Sequence, residues 1–315
     1  MKKIKLGIIG LGHMGGYHAS ASSLINDAEL IAVADPDKKN WEKIKSKKII
    51  TSINYKNWIN DVNAVIIAVP TELHHEIAKN CLLSGKHVLL EKPLTKTVEQ
   101  AKELFKIAKE KKLALHVGHV ERFNGAIQEV KKRIKAPDLI ECHRMGPYSS
   151  RVQKDSVVLD LMIHDLDLVL SLVDSPVKSF NVFGKKIKTD SCDIATAQIE
   201  FENGTIANIT SSRASHIKKR TMSIHQQNSF INLDFTTQDI SIYRNPTDSV
   251  QIGTNELKYK QEKTIENLIV YNDNPLKLEI ENFIKAIKTK TKLIDEKQDT
   301  TALKLTLEIE KRLGL

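Results

Sequence analysis

The sequence predicts an α/β protein with two domains, a doubly wound parallel sheet followed by an α+β domain with an open, mostly antiparallel sheet. Its 315 residues suffice for about two domains. Up to about residue 118, short apolar runs alternate with helical patterns, which is typical of parallel strands joined by helices. After about residue 177, strand-like runs follow one another directly, which favours antiparallel pairing. We therefore expect domains at 1–120 and 121–315, with one alternative in which the C-terminal helix packs back on the first domain.

The hydrophobic periodicity locates the individual elements. In the first domain we expect strands at Ile4–Ile9, Glu29–Ala34, Ala64–Val69, His87–Leu90 and Ala114–Val117, and helices at His13–Ile25, Lys38–Lys47, Glu72–Ser84 and Val98–Lys111. In the second domain we expect helices at Glu121–Ile134, Leu159–Val173, Leu276–Lys288 and Thr301–Arg312, and strands at Val177–Val182, Ile194–Phe201, Thr205–Ser211, Thr221–Ile224, Phe230–Phe235 and Ile240–Tyr243.

Composition argues against several classes of protein. Lys and Arg number 48 against 39 acidic residues, a net charge of +9, but only eight are arginine and the lysines are spread along the chain. Nucleic acid is therefore not expected as a partner, whereas the positive balance favours an anionic small molecule. The cysteines Cys81, Cys142 and Cys192 lie too far apart for a disulfide framework or a zinc site, which fits the cytoplasm. No apolar run approaches the ~20 residues of a membrane helix, so no membrane association is expected.

A glycine-rich turn follows the first expected strand. Gly10, Gly12 and Gly15 form the pattern G-x-G-x-x-G around His13 and Met14, and the turn opens a helix. In this context the glycines permit a tight turn, close approach of a diphosphate and packing of the helix on the sheet. The helix N-terminus attracts the phosphates. The pattern predicts a Rossmann domain that binds a dinucleotide. Turn glycines without a ligand are the plainer alternative, and a kinase loop would need H-R-D and D-F-G motifs, which the sequence lacks.

Asp35 ends the second expected strand, twenty residues after Gly15. A carboxylate at this spacing accepts hydrogen bonds from the adenosine ribose and repels the additional phosphate of NADP. No arginine follows it closely, although Lys38 and Lys39 do. These residues favour NAD over NADP as the cofactor.

Lys92 is the first candidate catalytic residue. Glu91, Lys92 and Pro93 follow the strand His87–Leu90, and ligands bind beyond the C-terminal ends of parallel strands. A lysine there can hydrogen-bond a reacting hydroxyl and stabilise developing negative charge. The bond before Pro93 can be cis. An exposed loop lysine is the plainer interpretation, and only the position of Lys92 argues against it.

Asp160 and His164 are spaced four residues apart on an expected helix, so they share one face. A carboxylate and an imidazole together can handle a proton near neutral pH. Alternatively, Asp160 caps the helix and His164 packs in the core. A metal site including His74 and His75 is a further alternative, but the spacing is not typical of zinc, and no metal is expected.

Further polar and basic residues are candidates for a binding site. Some follow two of the expected strands, and others lie near the helix that carries Asp160. Pro70–His74 and Gly118–Asn124 fit the rim of a binding crevice, although each segment alone is an ordinary loop or cap. Arg213, Lys218, Lys219 and Arg220 cluster around a strand pair, and Arg151 lies shortly before the helix. Arginine suits a diphosphate because it binds bidentately, so Arg151 and Arg213 are the favoured substrate contacts.

Over essentially its whole length the sequence resembles the Gfo/Idh/MocA oxidoreductases. The resemblance rests on the glycine loop, Asp35, the block Gly85–Leu94 (G-K-H-V-L-L-E-K-P-L) and the pair Asp160 and His164. It implies a Rossmann domain, a second domain with an open sheet that often serves in oligomerisation, and a catalytic Lys, Asp and His that map onto Lys92, Asp160 and His164. Many members have a glycine pair before the Asp, whereas this chain has 155–159 (D-S-V-V-L), so the local loop is expected to differ.

A narrower resemblance, to UDP-N-acetylglucosamine 3-dehydrogenases, rests on Gly118–Asn124 (G-H-V-E-R-F-N), Val157–Leu170, Arg213–Arg220 and Asn274–Glu279. It implies a homodimer or homotetramer that oxidises the 3-hydroxyl of this nucleotide sugar in lipid A precursor synthesis. The alternatives are another NAD(P)-dependent sugar or cyclitol dehydrogenase and a non-catalytic NAD-sensing regulator. The expected cofactor-binding residues are Gly10, Gly12, His13, Met14, Gly15, Asp35, Pro70, Thr71, His74, Glu91, Lys92 and Arg122. The expected substrate-binding residues are Lys92, Glu121, Asn124, Arg151, Asp160, His164 and Arg213.

The expected mechanism pairs a base with a polarising cation. His164 removes the hydroxyl proton, Lys92 polarises the same oxygen, and Asp160 orients His164 or the substrate, while the cofactor accepts a hydride from the sugar carbon. The sequence leaves open whether Lys92 or His164 is the base.

Overall fold

The computed structural model describes residues 3–149, 155–244, 264–270, 273–291 and 296–315. The chain divides into two compact units. The first unit comprises Met1–Phe123 and Asp273–Leu307, and the second comprises Asn124–Asn272 and Glu308–Leu315. The chain thus divides after Phe123, and residues 273–307 group with the first unit.

Six parallel strands form the sheet of the first unit. They are β1 (Ile4–Ile9), β2 (Ala28–Ala34), β3 (Ile50–Ser52), β4 (Ala64–Ile67), β5 (His87–Glu91) and β6 (Leu115–Gly118), in the order β3-β2-β1-β4-β5-β6. The order reverses between β1 and β4, and ligands bind at such a switch point, beyond the C-terminal ends of the strands. This is the Rossmann arrangement that the sequence predicts.

Helices cover both faces of this sheet. The unit contains α1 (His13–Ser22), α2 (His74–Leu83), α3 (Val98–Glu110), α6 (Pro275–Thr289) and most of α7 (Glu296–Arg312). On one face, Leu6 and Ile8 of β1 pack with Phe283 of α6. On the other face, Ile67 and Leu90 pack with side chains of α2 and α3. The buried strands are therefore almost continuously apolar, as parallel strands covered on both sides must be.

The segment after β2 differs from the expected helix. The chain forms a 3₁₀ turn at Lys38–Lys43, and the short strand β3 follows. The Asn40 side chain and the Trp41 indole each donate a hydrogen bond to Asp35, at 3.1 Å in both cases. These bonds hold the turn against the end of β2, in place of the longer helix expected over Lys38–Lys47.

Eight strands form the sheet of the second unit. They are β7 (Pro137–Met145), β8 (Val177–Lys185), β9 (Ile194–Phe201), β10 (Ile206–Ser212), β11 (Lys219–Gln226), β12 (Ser229–Asp234), β13 (Ile240–Arg244) and β14 (Thr264–Leu268), in the order β14-β13-β12-β11-β7-β10-β9-β8. β7 and β10 run parallel, and every other pair is antiparallel. The mostly antiparallel sheet is therefore confirmed, whereas β7 and β14 were not anticipated.

Two helices of the second unit precede and follow β7. The chain forms α4 at Gly125–Lys131, a wide π-helical turn at Val158–Met162, and α5 at Ile163–Leu172. The helix expected over Glu121–Ile134 is divided, because the Asn124 side chain accepts a hydrogen bond from the Ala126 N–H at 3.0 Å and caps a new helix. Among the described residues, no helix has the length and apolarity needed to cross a membrane.

Candidate functional site

The glycine-rich turn between β1 and α1 forms an open cradle. Gly10 has φ +90°, and a Cβ there would lie 2.5 Å from the Ala68 carbonyl oxygen. A Cβ on Gly15 would collide with the Gly10 carbonyl oxygen, so α1 packs too closely for any side chain. Among the described residues, no heavy atom beyond the chain neighbours lies within 4 Å of a Cβ built on Gly12, and no side chain caps the helix N-terminus. The turn therefore offers open backbone N–H groups to a diphosphate.

Asp35 lies beside this turn and helps to shape it. Its Oδ2 accepts a hydrogen bond from the Leu11 N–H at 2.6 Å. Its Oδ1 accepts from the Asp37 N–H at 2.9 Å and from the Asn40 side chain at 3.1 Å. A carboxylate has about four acceptor positions, so one remains for a ribose hydroxyl. The turn and Asp35 together fit the adenosine diphosphate half of NAD.

Lys43 also reaches the turn, although it belongs to none of the sequence motifs that predict the cofactor site. Its Nζ donates to the carbonyl oxygens of Leu11 at 2.5 Å and Gly12 at 3.0 Å, and to Asn40 Oδ1 at 2.8 Å. A Cβ on Gly16 would lie 3.2 Å from Lys43 Cδ, so the glycine leaves room for the lysine stem. The extra glycine after G-x-G-x-x-G was the only signal in the sequence. Lys43 brings a positive charge to the cradle.

The Lys92 backbone is anchored by its neighbour Glu91. Glu91 ends β5, and its Oε2 accepts a hydrogen bond from the Lys92 N–H at 3.2 Å. The other oxygen, Oε1, lies 2.6 Å from Nε2 of the buried His18. Burial alone would raise the pKa of Glu91, but the hydrogen bonds from His18 and the Lys92 N–H, together with the Lys92 charge, outweigh it and hold the pKa below its usual range. Glu91, expected to bind cofactor, thus has both oxygens engaged by donors of the chain.

His74 holds the other side of the same turn. The Lys92–Pro93 peptide is cis. His74 is buried, with Nδ1 2.8 Å from the Pro93 carbonyl oxygen and Nε2 2.9 Å from the Val69 carbonyl oxygen. Burial lowers the pKa of His74, although both carbonyls favour the protonated ring. The imidazole, expected to bind cofactor, thus ties the end of β4 to the Lys92 turn.

The remaining expected cofactor residues of the first unit lie around these anchors. Thr71 opens a 3₁₀ turn that follows Pro70, and His13 is exposed and stacks edge-on against Tyr17 at 4.4 Å between ring centroids. Arg122 lies in the short helical segment Val120–Phe123 and bonds Asp299 at 2.6 Å. Its guanidinium therefore contacts α7 of the same unit. Met14 is half-buried, and so is Glu121, which was expected to bind substrate.

In the second unit, Asp160 and His164 are carried by a distorted helix. Asp160 lies in the π-helical turn and His164 in the first turn of α5. Such wide turns are frequent at functional sites. Ser156 caps this segment, because its Oγ accepts hydrogen bonds from the Val158 N–H at 3.1 Å and the Leu159 N–H at 3.2 Å. The Ser156 hydroxyl in turn bonds the Glu310 carboxylate.

Arg213 is buried and bonded inside the second unit. Its Nε lies 2.8 Å from Asp193 Oδ1, and its Nη1 donates to the Asp155 carbonyl oxygen at 2.5 Å. Burial opposes ionisation of Asp193, but backbone N–H groups and Arg213 outweigh it and hold the pKa of Asp193 well below its usual range. The guanidinium thus fixes the chain that enters the Asp160 helix. A contact of Arg213 with substrate stays a prediction.

Two more expected substrate residues remain. Asn124 is buried, caps α4 and donates to the Phe235 carbonyl oxygen at 3.2 Å, so its amide has structural partners. Arg151 lies outside the described residues. A further anchor, not anticipated, is Asp165, whose carboxylate receives hydrogen bonds from Arg144 of β7. It fixes the residue next to His164.

Family models match both halves of the chain. Residues 4–119 match the family described as "Oxidoreductase family, NAD-binding Rossmann fold", and residues 123–231 match the "GFO/IDH/MocA C-terminal domain". A UDP-N-acetylglucosamine 3-dehydrogenase from Acidithiobacillus ferrooxidans is 33% identical over 247 residues, which are 77% of this chain and 78% of that protein. An NAD(+)-dependent scyllo-inositol 2-dehydrogenase from Bacillus subtilis is 26% identical over 68% of each chain.

Solved structures extend the likeness to nearly the whole chain. The structure of the Acidithiobacillus ferrooxidans UDP-N-acetylglucosamine 3-dehydrogenase GnnA superposes with a TM-score of 0.88 and 30% identity, covering 98% of this chain and 97% of that one. A Lactobacillus casei scyllo-inositol dehydrogenase shares the fold, with a TM-score of 0.80 at 18% identity over 99% of this chain and 97% of that one. The chain therefore belongs to the GFO/IDH/MocA family of NAD-binding oxidoreductases.

Proposed function

We propose that this NAD-dependent dehydrogenase oxidises the 3-hydroxyl of UDP-N-acetylglucosamine to a ketone. The choice of this substrate rests on the 33% identity to a UDP-N-acetylglucosamine 3-dehydrogenase over 77% of the chain. The net charge of +9 agrees with an anionic nucleotide sugar. The ketone would serve the synthesis of an amino sugar, such as a lipid A precursor.

The first unit supplies the cofactor contacts in this proposal. Gly12 and the N–H groups that open α1 bind the diphosphate, Asp35 accepts a ribose hydroxyl, and Lys43 contributes positive charge. The Asp35 carboxylate disfavours the extra phosphate of NADP. Bound NAD supplies a ring that accepts a hydride.

The remaining chemistry is a proton transfer from the sugar hydroxyl. In the proposal His164 accepts that proton, and the Lys92 ammonium hydrogen-bonds the same oxygen and stabilises its developing charge. Asp160 orients His164 or the sugar. As the C–H bond breaks, its electron pair leaves as hydride and the C–O bond becomes a carbonyl. Lys92 is suited to this role because Glu91 and His74 fix the backbone on either side of it.

A second candidate is another sugar or cyclitol dehydrogenase. The 26% identity to a scyllo-inositol 2-dehydrogenase over 68% of the chain favours a cyclitol as the alternative substrate. A regulator that binds NAD without turnover is the remaining alternative. It would have no need of Lys92, Asp160 and His164 together.

The test mixes the enzyme, NAD and UDP-N-acetylglucosamine and follows NADH absorbance and the mass of the sugar. A sugar aminotransferase with glutamate removes the ketone, because ketone formation alone can be unfavourable. NADH with a sugar two hydrogens lighter, or its amino derivative, would support the proposal. Turnover of inositols alone would support the second candidate. NAD binding without turnover of any sugar or cyclitol would leave the regulator.

The proposal extends to a cytoplasmic homodimer or homotetramer. Cys81, Cys142 and Cys192 are buried and unlinked, which suits a reducing compartment. Phe183 is 76% exposed on β8, as expected of a sheet face that another subunit could cover. The molar mass in solution, from light scattering, tests the oligomer.

A further inference from the structure

A buried histidine on the helix of the glycine-rich turn contacts the carboxylate that anchors Lys92. His18 lies on α1, and its side chain is fully buried. Its Nε2 is 2.6 Å from Glu91 Oε1, and the Glu91 side chain is only 9% exposed. The contact joins residues 73 positions apart in the sequence. Neither the expected chemistry nor the cofactor contacts use His18.

The Glu91 carboxylate has little freedom to move. Its Oε2 accepts the Lys92 N–H at 3.2 Å. A Cβ on Gly118 of the neighbouring strand would lie 3.1 Å from Glu91 Cα and 3.2 Å from Oε2, so the carboxylate packs against bare backbone. His18 therefore contacts one oxygen of a group whose other oxygen holds the main chain of Lys92.

Hydrogen bonding indicates which His18 nitrogen carries the proton. Among the described residues, His18 Nδ1 is buried and has no hydrogen-bond partner. A proton on Nδ1 would leave a buried donor unsatisfied, which is costly. The ring that carries its proton on Nε2 donates to Glu91 and avoids this cost. Lys92 and His18 are thus the two groups that favour the ionised carboxylate of Glu91.

We propose that His18 is a positioning residue for Lys92, acting through Glu91. The chain of contacts runs from α1 through His18 Nε2 and the Glu91 carboxylate to the Lys92 N–H. Since α1 also opens at the glycine-rich turn, His18 couples the cofactor cradle to the backbone of the lysine. The inference rests on the catalytic role proposed for Lys92.

A matched pair of amide variants tests the contact. In His18→Gln the side-chain amide nitrogen can take the place of Nε2 and donate to Glu91, whereas in His18→Asn it is too short to do so. Because small misplacements of a catalytic group can cost about 100-fold, we expect kcat to fall about 10- to 100-fold in His18→Asn and to stay within about 3-fold in His18→Gln. The KM values for sugar and NAD should change little in either variant.

The effect of His18→Asn in a chain that lacks Lys92 tests whether His18 acts through that lysine. In the Lys92→Met background, adding His18→Asn should lower the residual kcat by less than about 2-fold, because residues that act through one group are not additive. His75→Leu is the control, since His75 of α2 pairs with Glu103 of α3 and not with Glu91. Circular dichroism and NAD binding establish that each variant is folded. If either His18 variant fails to fold, Glu91→Gln, which keeps an acceptor for the Lys92 N–H, replaces the pair and should retain more kcat than Glu91→Leu.

The inference is overturned if Gln and Asn at position 18 reduce kcat equally, or if His18→Asn raises only the KM for NAD. It is also overturned if His18→Asn costs as much in Lys92→Met as in the wild-type chain. Failure of the proposed function is distinguishable, because in that case Lys92→Met itself leaves kcat unchanged.

Discussion

The Arg144 guanidinium forms a buried fork with the Asp165 carboxylate, with Nη2 2.7 Å from Oδ1 and Nε 3.0 Å from Oδ2. Arg144 belongs to β7, and Asp165 follows His164 on α5. Both side chains are almost completely buried. The pair therefore fixes the helix that carries the candidate base to the sheet.

Replacing Arg144 by Met should destabilise the protein, because the Asp165 charge would remain buried without its partner. We expect a loss of about 3–5 kcal/mol in the free energy of unfolding, measured by urea titration. Lys178→Met is the matched control, since Lys178 pairs with Glu200 on the surface and an exposed ion pair contributes little to stability. Equal losses in the two variants would contradict the structural role of Arg144.

Replacing Lys43 by Met should weaken NAD binding. The ammonium donates to the carbonyls of Leu11 and Gly12, so its removal takes positive charge from the diphosphate cradle. We expect the Kd for NAD to rise about 5- to 10-fold at low salt, and the difference from wild type to shrink at high salt. Isothermal titration calorimetry measures both. Lys39→Met in the same turn is the control, and an equal effect there would assign the change to net charge alone.

Replacing Asp35 by Ser should change the preference between cofactors. The carboxylate is placed to accept a ribose hydroxyl and to repel a phosphate at that position. We expect the ratio of Kd for NADP to Kd for NAD to fall at least about 10-fold, determined by fluorescence titration with both cofactors. An unchanged ratio, even with weaker binding of both, would limit Asp35 to holding Leu11, Asp37 and Asn40.

The raised pKa of Glu279 predicts that the stability of the protein decreases as the pH rises. Glu279 is fully buried on α6, and burial together with the charge of Glu91 raises its pKa from 4.5 to about 8, against the opposing charge of Arg122. His116 Nε2 lies 3.5 Å from Glu279 Oε1. Because the folded state holds the proton more tightly, the stabilising contribution is complete below pH 4.5 and is lost as the pH rises to about 8.

The isosteric change Glu279→Gln should remove this dependence. The variant should exceed the wild type in stability at pH 9 by roughly 5 kcal/mol at most, with a smaller difference near pH 6. Tm recorded from pH 5.5 to 9 tests it, with Glu281→Gln on the exposed face of the same helix as the control. Parallel Tm curves for wild type and Glu279→Gln would show that Glu279 keeps one charge state throughout.

Local sequence patterns were enough to predict those elements that are formed by residues close together in the chain. β1 and β9 have the predicted bounds, and the turn Gly10–Gly15 lies between strand and helix as expected. β7 could not be foreseen in the same way, because it contains Arg144, a buried charge that pairs with Asp165 in the fold. The apolar alternation of β7 is therefore interrupted by a charge whose partner lies in another element.

Long-range pairs account for most of what the sequence did not reveal about the candidate site. Lys43 lies 31 residues from Gly12, and His18 lies 73 residues from Glu91. A lysine among 48 basic residues carries no signal of such a contact. Arg213 shows that residue type alone does not identify the partner. An arginine can bind a diphosphate, but it can equally pair with a buried carboxylate, and in the fold Arg213 pairs with Asp193.

The central claim is that hydride leaves carbon 3 of UDP-N-acetylglucosamine. The most direct measurement uses the sugar with deuterium at carbon 3 and, as the control, at carbon 4, and determines by mass spectrometry whether the reduced cofactor carries the label. If hydride leaves carbon 3, the reduced cofactor carries deuterium from the 3-labelled sugar alone. Label from the 4-labelled sugar, or no reduction of NAD by an enzyme that binds it, would contradict oxidation at carbon 3.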